Sequence, residues 1–277
     1  MITKQHPPVL TIAGSDSSGG AGIQADLKTM TTLGCYGMSV ITALTAQNTC
    51  GVQGVLPVPA DFVIRQLESV FTDIPPASIK IGMLHDRELI EALHNYLKDK
   101  SVSIILDPVM VATSGDVLLN PDALDALQTL LFPLAALVTP NVHEMSLVCG
   151  CPLADFEDLE TQAGQMADKW SVPFLVKGGD LKGTEYSSDV LVLPGEEPVW
   201  YESPRINTPN SHGTGCTLSS AIASFTAHGL SLKKAVNESK QYIRSALESG
   251  RNQSWGQGRG PVNHMWNNTN QFSGVYR

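Results

Sequence analysis

Positive charge is scarce in these 277 residues. Lys and Arg number 18 against 27 Asp and Glu, a formal net charge of −9. No basic block offsets that balance, which argues against general binding to nucleic acid or to an anionic membrane surface. Long apolar runs are also missing. The longest, around LLFPLAALV, contains proline and falls well short of the ~20 residues a membrane span needs. The opening MITKQHPPVLTIAGSD lacks the apolar h-region of a secretory signal, so the cytosol is the expected compartment. Cysteines 35, 50, 149, 151 and 216 are odd in number, and the CGC at 149–151 has no matching pair to complete a zinc site. Free thiols are expected in a reducing compartment. The seven histidines include no H-x-x-x-H pair, and only His212, inside a glycine turn, stands out. No internal repeat or low-complexity linker divides the chain.

Common catalytic signatures are absent as well. Gly14 and Gly19 have P-loop spacing, but Gly20-Ala21 stands where Lys and Ser/Thr are required. Gly20-Ala-Gly22-Ile-Gln-Ala25 matches G-x-G-x-x-A. About twenty residues on, however, Thr45-Ala46 replaces the acidic residue that a dinucleotide site needs. The G-x-S-x-G elbow of serine hydrolases does not occur.

What is present is a regular alternation. Hydrophobic residues make up 42% of the chain and charged ones 16%, an ordinary soluble composition. Continuous apolar runs at 9–14, 38–44, 78–84, 102–108, 135–140 and 173–179 read as buried strands. Segments near 24–33, 60–72, 86–99, 121–132, 142–149 and 156–169 read as helices between them. Strands that are apolar throughout belong to a parallel sheet covered on both faces, so a doubly wound α/β sheet is expected. SDVLVLP and VWYES read as a late antiparallel pair. The chain reads as one domain over 1–277, with a Gly-, Asn- and Gln-rich tail from Gly250 expected to be loosely ordered.

The strand-like runs stop on polar or turn residues: GSD at 14–16, GM at 82–83, DP at 107–108, TPN at 139–141 and KGG at 177–179. Each taken singly is ordinary turn chemistry. Gathered on one carboxyl edge, an Asp, an Asn and a Lys look like a ligand site. Beyond them lies NSHGTGCTLSSAIASF (210–225), where Leu218, Ala221, Ile222 and Phe225 have the spacing of one helix face. That helix would begin near Gly213. Its Gly-Thr-Gly-Cys first turn suits an anion at the helix N-terminus, and the same field lowers a thiol's pKa. The alternative is that Cys216 is a small buried apolar residue.

Seven segments in order, GSDSSGGAGIQADLKT (14–29), TAQNT (45–49), IKIGML (79–84), DPVM (107–110), TPNVHE (139–144), VKGG (176–179) and NSHGTGCTLSSAIA (210–223), closely resemble the hydroxymethylpyrimidine/phosphomethylpyrimidine kinases of the thiamine pathway. The resemblance runs from about residue 8 to the GPVNH ending at 264. It implies a ribokinase-like three-layer α/β/α sandwich with a mostly parallel sheet, Mg-ATP as phosphoryl donor and two successive phosphorylations of the pyrimidine. It also suggests a homodimer. Cys216 would be the base for the acceptor hydroxyl, with backbone N–H groups from Gly213 through Gly215 to Cys216 stabilising charge on the transferred phosphoryl. Lys177, Asn141 and Thr139 would serve ATP. Glu144 and Asp107 would organise magnesium. The same positions allow blander roles, a helix cap for Asn141, a solvated Glu144 and a turn for Asp107. Asp26 and Gln47 would read the pyrimidine's polar edge, with Gly14, Ala21 and Met83 shaping an apolar slot. Asn-Ser-His at 210–212 replaces the commoner Asn-Thr-His and keeps a hydroxyl. The nearest rival is pyridoxal/pyridoxine kinase activity, alone or in addition. TAQNT favours the pyrimidine, because an amide both donates to and accepts from an aminopyrimidine edge.

Overall fold

In the computed structural model, residues 6–110, 122–181 and 185–267 are described. The apolar run at the start forms β1 (Pro8–Asp16), and α1 (Gly22–Thr32) leads into β2 (Tyr36–Asn48). A tight turn then gives β3 (Gly51–Pro57), α2 (Ala60–Asp73), β4 (Ser78–Ile81), α3 (Arg87–Leu97) and β5 (Ser103–Leu106). After α4 (Ala123–Ala126) come β6 (Leu137–Val138), α5 (Val142–Cys149), α6 (Phe156–Trp170) and β7 (Phe174–Lys177). The hairpin β8 (Tyr186–Val192) and β9 (Val199–Pro204) precedes α7 (Thr214–Ala227) and α8 (Leu232–Gly250).

The strands form one sheet in the order β3-β2-β1-β4-β5-β6-β7-β8-β9. The six strands from β2 to β7 in that order are parallel, and β3, β8 and β9 are antiparallel additions. Period-two alternation divides the core. Leu10, Ile12, Ile104, Leu106, Phe174 and Val176 pack under α2 to α6. Val9, Ile105, Leu137, Leu175 and Leu191 pack under α7 and α8. This is the three-layer α/β/α sandwich expected from the run of apolar strands.

Three details differ from the sequence reading. β3 was not anticipated, because most of GVQGVLP is exposed and only backbone pairing with β2 makes it a strand. The helix expected near 121–132 is short: α4 passes into a π turn (Leu127–Leu131) and a 3-10 turn (Phe132–Leu134). Pro133 lacks the N–H that an α-helix would need there; residue 121 itself lies outside the described residues. The tail is not loose between Gly250 and Trp266. Asn210 Nδ2 donates to the carbonyls of Gly250 and Gln253 at 2.8 and 2.7 Å, and His212 N donates to Gly260 O at 3.0 Å. Residues 268–277 lie outside the described residues. Among the described residues no helix is long and apolar enough to cross a membrane.

Candidate active site

Chain order turns the carboxyl edge into a crevice. From β1 the sheet grows one way to β2 and the other way to β4, so the loops diverge there, as at ligand-binding switch points of open α/β sheets. The start of α7 crosses the same edge. Together they enclose a cavity of about 660 Å³.

At one end the cavity is built for negative charge. Gly213 caps α7 with φ 81, a left-handed conformation that side chains rarely adopt, and a Cβ there would strike the carbonyl oxygen of Gly20. The turn leaves the first N–H groups of α7 directed out of its N-terminus, where an anion is favoured. Facing it, Lys177 Nζ lies 2.7 Å from Asp107 Oδ1 and 3.9 Å from Glu144 Oε2. Burial alone would lower the Lys177 pKa, but the two carboxylates outweigh it and the ammonium is held charged. Burial would likewise raise Asp107, and the Lys177 and Lys80 cations reverse the sign.

Asn141 and Glu144 form a reciprocal cap on α5. Glu144 N donates to Asn141 Oδ1 and Asn141 N to Glu144 Oε2, each at 2.8 Å. Both residues also line the cavity. Glu144 is buried rather than solvated, and desolvation, with Asp107 adding and Lys177 opposing, pushes its carboxyl up to about 7.

Cys216 opens onto the cavity, half-buried, beside Gly22. The expected lowering of its thiol pKa is not found. Desolvation pushes the thiol up to about 11, with Asp26 and Asp107 adding to the rise and Lys80 opposing. Lost hydration outweighs the Lys80 cation, the largest influence favouring the thiolate.

The other end is an apolar slot with one polar wall. Gly14, Ala21 and Met83 line it, and a Cβ on Gly14 would sit 2.9 Å from Met83 Sδ. The Gln47 amide is oriented by Thr45 Oγ1, which donates to Oε1 at 3.0 Å, and its Nε2 lies 3.5 Å from His212 Nε2. His212 is paired with Asp16 Oδ2 at 2.9 Å. Asp16 also accepts from the backbone N–H groups of Ser18, Gly20 and Ala21. These bonds, with His212 first, overcome burial and hold its carboxyl well below the usual range.

Eleven of the thirteen expected site residues line this one cavity; Asp26 and Thr139 do not. Asp26 is fully buried one layer down, where Thr11, Ser220 and Lys80 use its carboxylate. It has no face left for a pyrimidine. Thr139 is also fully buried, and its hydroxyl donates to Asp107 Oδ1 at 3.2 Å. Conversely, Asp16, Lys80, His212 and Arg259 line the cavity without having been among the expected residues. A lysine in the buried strand SIKI and an aspartate closing β1 were visible signals. Arg259, in the tail, carried none.

A family model described as phosphomethylpyrimidine kinase matches residues 16–263. The chain belongs to that family. The hydroxymethylpyrimidine/phosphomethylpyrimidine kinase of Rhizobium meliloti is 49% identical over 257 residues, spanning 92% of this chain and 96% of its own. The crystal structure of phosphomethylpyrimidine kinase from Clostridium difficile superposes with a TM-score of 0.76 at 43% identity, covering 87% of this chain and 99% of that one. The pyridoxal kinase of Staphylococcus aureus in complex with AMP-PCP and pyridoxal gives 0.86 at 34% identity, covering 94% of each chain. As a phosphomethylpyrimidine kinase family member with the ribokinase-like sandwich, the chain is an ATP-using kinase.

The charged end fits magnesium brought in on phosphates. Among the described residues no three His, Cys, Asp or Glu side chains converge on a closed metal cage. Magnesium bound through phosphates and water needs only one or two carboxylates, and Asp107 and Glu144 supply two on the cavity wall. Glu144→Gln should raise the magnesium concentration for half-maximal rate. It should also flatten the pH dependence of stability. With the folded carboxyl raised from 4.5 to about 7, its contribution is fully present below the unfolded value and is lost as pH climbs through 7. Melting temperatures of both proteins from about pH 5 to 8 check this; parallel curves would refute it.

Proposed function

We propose that this chain transfers the γ-phosphoryl group of ATP to the hydroxymethyl oxygen of 4-amino-5-hydroxymethyl-2-methylpyrimidine, and then phosphorylates the monophosphate to the diphosphate for thiamine biosynthesis. One observation carries the reading: a single cavity joins the Gln47 wall and its apolar slot to Cys216, the α7 N-terminus and the Lys177–Asp107–Glu144 cluster. Gln47 would hold the aminopyrimidine edge so that the hydroxymethyl group reaches Cys216, which takes its proton. Backbone N–H groups from Gly213 to Cys216 would meet the charge on the transferred phosphoryl, while Lys177 and Asn141 hold the donor phosphates. Asp107 and Glu144 would hold magnesium, which supplies charge neutralisation across the phosphates. The names of the relatives support the same substrates.

Pyridoxal is the second candidate acceptor, favoured by the close fit to a pyridoxal kinase crystallised with that ligand. Leu44, Val55, Leu56 and Phe62 are exposed on β2, β3 and α2, and an apolar surface of that kind supports a homodimer.

Gln47 discriminates between the acceptors. Its amide can meet a ring nitrogen and the neighbouring amine together, whereas pyridoxine has no exocyclic amine. Leaving a buried polar group unpaired costs about 1–3 kcal/mol. Wild-type kcat/KM, followed by ADP release, should therefore favour the pyrimidine by at least roughly 10-fold. Gln47→Met should depress pyrimidine turnover much more than pyridoxine turnover. Equal losses on both alcohols would remove Gln47 as the specificity determinant, and a wild type preferring pyridoxine would overturn the pyrimidine assignment.

A further inference from the structure

Beneath the reacting end of the cavity lies a buried ion pair that none of the roles above requires. Lys80 stands mid-strand in β4, between Ile79 and Ile81, fully buried. Its Nζ lies 2.9 and 3.1 Å from the two oxygens of Asp26 on α1. Asp26 also accepts from Thr11 Oγ1 and from Ser220 Oγ on α7, each at 2.6 Å. An apolar pair of similar volume would hold such a core about as well or better, so stability is a weak reason for two charges here.

Helical spacing shows what the pair sits under. Gly22 and Asp26 are four residues apart on α1, and Cys216 and Ser220 are four apart on α7, so each couple stacks on one helix face with roughly 5–6 Å between neighbours. The upper members, Gly22 and Cys216, both reach the cavity wall, where α1 packs against α7. The lower members meet where Ser220 donates to Asp26. Lys80–Asp26 therefore lies one turn below the thiol. The pair is also polar in a definite sense, because Lys80 reaches the cavity wall and Asp26 does not. The other charges facing the thiol are Asp107, after β5, and Lys177, at the end of β7.

We propose that Lys80 is a positioning residue for phosphoryl transfer: anchored by Asp26, it fixes a positive charge under Cys216, so that negative charge is tolerated on the sulfur when the acceptor's proton leaves. The inference rests on the kinase reading above. It assigns Asp26 a task as well, holding the lysine in place and keeping it charged.

Lys80→Met alone strands a buried carboxylate and is a poor test, because it endangers the fold. Lys80→Met/Asp26→Asn removes both charges at similar volume. Should that variant not unfold cooperatively, Lys80→Gln/Asp26→Asn puts a hydrogen-bonded amide pair in their place and carries the same measurements. Two quantities are read. The first is the rate at which iodoacetamide alkylates Cys216 at about pH 9, followed on its peptide by mass spectrometry; a rise of one unit in the thiol's pKa slows it about tenfold. The second is the split between kcat and KM. Because the Lys80 effect on the sulfur exceeds the opposing one of Asp26, the neutral-pair variant should be alkylated measurably more slowly and lose roughly 10²-fold in kcat, with KM for ATP little changed. A folded neutral-pair variant with wild-type alkylation and kcat would overturn the proposal and leave the pair structural. A wild type inactive on the pyrimidine would instead count against the substrate assignment, and the alkylation comparison would still decide Lys80.

Discussion

Cys216→Ala is expected to fold, bind nucleotide and turn over at least roughly 10²-fold more slowly, the usual scale for losing an acid–base group. The substitution trims a half-buried side chain on the cavity wall, so its stability cost should be near the typical ~1 kcal/mol of a point change. The pH dependence gives a sharper signature. With burial holding the thiol at about 11 in the free protein, the base form is scarce at neutral pH and grows tenfold with each unit. The logarithm of wild-type kcat/KM should therefore rise across pH 7 to about 9, and the alanine variant should be flat there. Wild-type turnover in the alanine protein would show that the thiol only fills space.

Lys177→Met should cost at least as much, through both chemistry and stability. The ammonium sits between Asp107 and Glu144, so its loss leaves two carboxylates facing each other in the cavity wall. Breaking a buried ion pair from one side costs about 3–5 kcal/mol. Here protonation limits the damage, because Glu144 already holds its proton up to about 7. Losing the nearby cation raises that value further, so destabilisation should be mild at acidic pH and grow above neutrality. For ATP, kcat/KM should fall roughly 10³-fold, equivalent to about 4 kcal/mol of transition-state stabilisation. Lys177→Met/Asp107→Asn separates the two effects: it should restore much of the melting temperature and none of the activity. Recovery of both would mean that Lys177 acts only as a structural counter-ion.

The roles of Asp26 and Thr139 show where linear reading stops. Both lie within a helical turn of residues that do line the cavity, Gly22 and Asn141, in motifs that point to it. Their neighbours across space take them out of direct contact: Lys80, Thr11 and Ser220 claim Asp26, and Asp107 claims the Thr139 hydroxyl. Cys216 shows the same limit in its electrostatics. A glycine turn at a helix start is legible in the sequence and predicts a lowered thiol pKa. The desolvation that pushes the thiol the other way comes from packing around it in the folded chain, where α1 lies against α7.

What the sequence determined by itself was whatever depends on local pattern. Continuous apolar strands alternating with amphipathic segments demand a covered parallel sheet, and the turn residues after those strands mark its carboxyl edge. The glycines before Cys216 specify a helix start that side chains cannot cap in the same way. The tertiary structure decided whatever depends on distance between segments far apart in the chain. It made a strand of GVQGVLP through pairing with β2, and it bound the tail to Asn210 and His212 so that Arg259 reaches the cavity. It also set Lys80 on Asp26 beneath the thiol. Backbone propensity and hydrophobic period act over a few residues, whereas desolvation and charge pairing act only where the folded chain brings groups together.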